Sequence, residues 1–162
     1  MDNDALRTYL NDHLGGATAA LQLLGHLADS AETSEEKSFF QTLHAEITED
    51  RGVLEQIIER TGRHPSSLRQ VGGWMAAKLT ELKLALDNPE RGTLDRLQAL
   101  EMLALGILGK RALWRALAAL PQAPEVQPLD LPRLERRAED QHAGVEARRV
   151  LAAKRALTAV PS

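Results

Sequence analysis

Three side chains able to bind a metal or carry a proton fall on apolar stripes of this chain: His13, Asp50 and His142. Glu46 and Glu139 lie about one helical turn from the second and third. Imidazole and carboxylate together suit a divalent first-row cation. A site of His13, Asp50 and His142, completed by Glu46 or Glu139, would hold iron, manganese or zinc. It would leave a position open for water or oxygen, and with it a route to oxidoreductase chemistry. The same residues support a second reading, a polar cluster inside the core. His13 then donates to Asp50, Lys110 or an arginine balances the charge, and the network fixes helix register. In that case Gly15, Gly16, Gly106 and Gly109 permit close helix approach. Elemental analysis of the untagged protein separates the two readings.

The elements that must position these residues are helices. Leu6, Leu10, His13, Ala17, Ala20, Leu24 and Leu27 recur at three-four spacing and predict a helix over about 4–29. Thr33 and Glu36 form a capping-box signature that opens a second helix, 34–61, with Asp50 on its seam and Gly62 and Pro65 at its end. A shorter helix is expected over 67–87. A fourth, 93–120, is apolar nearly all round and reads as central. Asp130 caps the last, 131–157, whose first turn tolerates Pro132 and whose seam includes Leu134, Ala138, His142 and Val145.

The four long helices span roughly 40 Å each at 1.5 Å per residue. His13 and Asp50 are nearly equidistant from a turn near residue 32, so the two should sit level. If the second and fourth predicted helices start level, Asp50 matches Gly109 beside Lys110. Counting back from the following turn matches residue 109 with His142. His13, Asp50, Lys110 and His142 are thereby expected in one layer.

Two helical hairpins joined by a long crossover resemble the ferritin-like superfamily of four-helix bundles. Its di-iron members carry Glu on the first and third helices and Glu-x-x-His on the second and fourth. Here Glu139-Asp140-Gln141-His142 matches that motif. The second helix offers Glu46-Ile47-Thr48-Glu49, the first has His13 where glutamate is expected, and Glu101 falls eight residues from the layer. The resemblance implies an all-α antiparallel bundle with an additional shorter crossover helix; an extra helix added to an ordinary up-down bundle is the alternative. Its incomplete motif sets the chain apart from an ordinary ferroxidase.

One domain over 1–162 is expected for a chain of 162 residues. Cysteine is absent, which excludes a disulfide framework and thiolate metal sites. The opening MDNDALR lacks an apolar signal region, so a cytoplasmic protein is expected, with no membrane span. Residues 1–61 hold 4 basic and 12 acidic side chains, whereas 131–162 hold 7 and 4. The basic last helix complements the acidic first half, and without interleaved aromatics it is not expected to bind nucleic acid. Trp74 and Trp114 read as packing residues. With no phosphate loop or nucleophile elbow, the chain reads as a binding or assembly module. The alternative is the metal protein described above. The apolar fourth predicted helix also offers a homodimer surface.

Overall fold

The computed structural model describes residues 4–62, 77, 80–81, 92–120 and 122–158. Among these the chain is all-α, with four long helices: α1 (Asp4–Asp29), α2 (Ser34–Arg60), α3 (Gly92–Ala118) and α4 (Leu131–Thr158). Of the helix expected over 67–87, residues 77, 80 and 81 are described and are helical; the rest of it, Trp74 included, lies outside the described residues. None of the described helices is long and apolar enough to cross a membrane.

Local chemistry sets the ends. Thr33 at the head of α2 has extended backbone, and its hydroxyl accepts the Glu36 N–H at 3.1 Å. Glu36 reaches back to the Glu32 N–H at 3.0 Å, closing a capping box one residue wider than the usual one. Gly62, at φ +83°, ends α2 by donating to the Glu59 carbonyl, a left-handed geometry that glycine adopts without steric cost. Asp130 accepts the Arg133 N–H at 3.1 Å and so starts α4, with Pro132 in the first turn where its missing N–H is not needed.

Ion pairs at the ends fix the helix directions. Arg96, near the start of α3, donates to the Ser30 carbonyl and pairs with Glu36. Arg155, near the end of α4, pairs with Glu32. At the far end Arg60 donates to the Glu125 carbonyl in the α3–α4 connection. Helices α2 and α3 therefore start at the same end and run parallel, while α1 and α4 run the other way. Packing is closest within the pairs α1–α2 and α3–α4, and α1 also packs on α3.

Side chains such as Leu10, Leu24, Phe40, Ile57, Leu100 and Ile107 fill one shared core. Helix α3 is not enclosed on all sides as its composition suggests: Leu105 is 68% and Leu108 41% exposed. One face of it meets solvent.

The glycines also differ from expectation. A Cβ on Gly16, Gly106 or Gly109 would meet nothing within 4 Å, so these positions do not serve close helix approach. That role falls to Gly144, where a Cβ would lie 2.8 Å from the Phe39 ring, itself covered by the Arg148 guanidinium at 3.4 Å. Replacing Gly106 by alanine should therefore stabilise the fold by about 0.5–1 kcal/mol through reduced chain entropy. Gly144→Ala should gain nothing, because Phe39 must move under Arg148. Urea melts of the two variants check the contrast.

Candidate functional site

Asp50 is 2% exposed on the inner face of α2, and both its oxygens are occupied. Oδ2 accepts from Lys110 Nζ of α3 at 2.5 Å, and Oδ1 accepts from the Arg137 guanidinium of α4. Lys110 also donates to Gln141 Oε1, and Gln141 Nε2 donates to Glu46 Oε2 at 2.9 Å. Arg137 donates further to Glu49 at 2.8 Å. Six side chains from three helices thus form one chain of charge-assisted hydrogen bonds. Burial pushes the Lys110 ammonium below its usual pKa, with Asp50 opposing the shift. Burial also works against Arg137, but its bonds to Asp50 and Glu49 prevail and hold its pKa above the ordinary value.

The expected layer is therefore real in Asp50 and Lys110 and different elsewhere. His13 makes no hydrogen bond to Asp50. Leu14 takes the buried position, while His13 lies half-buried beside it with its ring edge-on to Tyr9, 4.7 Å between centroids. On α4 the buried seam runs Leu131, Leu134, Ala138, Gln141, Val145, a regular three-four alternation that leaves His142 half-buried to one side. Glu139 faces outward and pairs with Arg111. Glu46 does join the Asp50 cluster, through Gln141. Among the described residues no three His, Asp or Glu side chains form a group able to hold a metal ion.

Arg137 and Gln141 were missed in the sequence, though a signal existed for one of them. Gln141 continues the three-four seam from Leu134 and Ala138, and it lies as far beyond the α3–α4 turn as Lys110 lies before it.

Beside this cluster, α1, α2 and α3 line a cavity of about 690 Å³ that is partly open to solvent, with exposed Asp12 and Gly106 on its wall. Gly16, Gly106 and Gly109 line it, which explains the open space above them. Register places its residues along an axis. Lys110 is level with Asp50, and Arg96 with Ser30. Ala20, Leu23, Met102 and Leu103 thus lie toward one end, and Tyr9, His13, Arg51 and Trp114 toward the other. Met102 to Trp114 covers roughly 18 Å of helix. The cavity is apolar at one end and polar at the other.

Two donors at the polar end lack acceptors among the described residues. Trp114 is 1% exposed, yet its Nε1–H is unpaired, and so is the buried Nε–H of Arg51. Buried donors are seldom left so. Burial also lowers the His13 pKa, with Asp12 partly offsetting it.

The His13 shift gives a pH dependence with a definite sign. Because the folded state binds this proton less readily than the unfolded chain, stability should fall as pH drops from about 6.5 through the folded-state value. His13→Gln should flatten that part of the profile, as read from urea midpoints between about pH 7 and 5.

No protein-family model, curated protein or solved structure matches the chain. The functional reading therefore rests on this geometry.

Proposed function

We propose that this chain is a ferritin-like four-helix bundle working as a binding module rather than an enzyme, with a small, largely apolar molecule as the occupant of the α1–α2–α3 cavity. The directions of the four helices agree with that topology, in which two hairpins are joined by one long crossover. The observation that carries the reading is the cavity itself. Its volume of about 690 Å³ falls in the range of small-molecule sites, and its wall is apolar with a few polar groups gathered at one end. The Asp50 cluster ties two of its walls, α2 and α3, to α4.

A neutral fluorescent probe, N-phenyl-1-naphthylamine, tests the reading. It should bind saturably at one per chain, and Gly16→Leu with Gly106→Leu, which place side chains in the open space, should abolish binding. An absence of binding, or equal binding by the filled variant, would sink the reading.

The exposed Leu105 and Leu108 favour a second reading, assembly through the outer face of α3. Light scattering should then show a dimer that Leu105→Glu converts to monomer. A wild-type monomer at high concentration removes it.

A further inference from the structure

The outer face of α3 carries more than two exposed leucines. Leu94, Glu101, Leu105, Leu108, Ala112 and Arg115 are all exposed. With the half-buried Gln98 they recur at alternating steps of four and three residues, the spacing of a coiled-coil seam. The stripe lies opposite the buried Leu100, Leu103 and Ile107, and so faces away from the core.

Helix α4 widens this surface. Glu139 faces α3 through its pair with Arg111, and Val150 and Leu157 follow on the same edge of α4. Contact of Arg149 with Glu101 sets Val150 beside Glu101 and Leu157 level with Leu94. Five of the eight exposed large apolar side chains among the described residues thus share one side of the molecule. An apolar surface of this kind marks an interaction site.

The charges along the stripe point to what covers it. Glu101 precedes the leucine pair and Arg115 follows it, and each is only loosely held within its own chain. Arg149 makes its short bonds, 2.7 and 2.6 Å, to Glu146 and meets Glu101 at 3.3 Å. Arg115 stands 3.6 Å from Glu135, which it shares with Arg111. A stripe that is negative at one end, apolar in the middle and positive at the other complements a reversed copy of itself.

We infer that two copies of this chain pair through α3, antiparallel, about a two-fold axis passing between Leu105 and Leu108. The inference rests on the assembly reading above and gives it a register. Leu105 then faces Leu108 of the second copy, and Glu101 comes level with its Ala112. That small side chain leaves room for Glu101 to reach Arg115, about 4.5 Å further along the axis. The symmetry makes each contact twice. A parallel pair would instead set Glu101 against Glu101 and Arg115 against Arg115, so the charges select the antiparallel arrangement.

The chain has no cysteine, so introduced thiols report the register directly. Full-length Glu101→Cys and Ala112→Cys proteins, mixed and mildly oxidised, should give mainly the disulfide between unlike chains, as read by mass spectrometry. Glu101→Cys alone should cross-link little, because the offset separates like thiols by about 16 Å along the axis, beyond disulfide reach. Sedimentation equilibrium supplies a second arm. Glu101→Arg and Arg115→Glu should each weaken the dimer severalfold, and the two together in one chain should restore it to within about twofold. A dominant Glu101→Cys homodisulfide, or unchanged affinity in both charge variants, would overturn the inference. If Leu105→Glu still abolishes the dimer in that case, the assembly reading stands without this register. A wild-type chain that stays monomeric at high concentration removes both.

Discussion

Asp50→Ala should lower the unfolding free energy by about 3–5 kcal/mol at neutral pH, because it removes one partner from a buried ion cluster and leaves another uncompensated. The cost falls mainly on Lys110. Its side chain is 13% exposed, and without Asp50 its ammonium keeps only the neutral Gln141 as a direct partner. Arg137 is better placed, since it retains Glu49 at 2.8 Å and lies nearer solvent. Adding Lys110→Met to Asp50→Ala should therefore recover much of the loss, as the unpaired charge disappears with its desolvation cost. Urea denaturation of the single and double variants measures both. A single variant within about 1 kcal/mol of wild type would show that the cluster does not hold the helices together.

Trp114→Ala should cost about 3–5 kcal/mol, the range for truncating a large buried aromatic. The indole is 1% exposed and belongs to the shared core, yet one edge of it borders the existing cavity. Its removal would join new empty space to old, in a region where rigid helices cannot close the gap. Trp114→Phe should cost less than half as much. The ring is largely kept, and the lost Nε1–H has no acceptor among the described residues. Thermal or urea melts distinguish the two. A phenylalanine variant as unstable as the alanine one would mean that the indole nitrogen has a structural partner after all.

What could be read from the sequence was whatever depends on local chemistry or on one helix's own period. Thr33, Gly62 and Asp130 mark helix ends because capping and left-handed backbone are decided within a few residues. Asp50 shows as buried because it replaces an apolar residue on a regular seam, and counting from the turns brings Lys110 to it. The errors came at seam edges. His13 adjoins Leu14 on a helix of 3.6 residues per turn, and the apolar neighbour wins the core. His142 and the buried Gln141 are one residue apart, which turns a side chain by about 100° around the axis. Arg137 was hidden for another reason: counting gives the level of a Cα, whereas a long guanidinium side chain reaches its partner from the flank. The cavity is the joint product of three helices, and no single stripe records a void.

The order of the helices also bears on how quickly the chain folds. Within each hairpin the partners are close in sequence, and α1 is joined to α2 by a turn of four residues. The bonds between hairpins close far longer loops: 60 residues for Asp50–Lys110, 87 for Asp50–Arg137 and 123 for Glu32–Arg155. Local contacts form first, and distant ones must wait for chain closure. The hairpins are thus expected to form early and to dock late, with the Asp50 cluster assembling after the rate-limiting barrier. Asp50→Ala should then accelerate unfolding and leave the refolding rate nearly unchanged, a division that stopped-flow chevrons resolve. On this view, the charges that fix the register act as a latch on a bundle already formed, governing how long it lasts rather than how fast it appears.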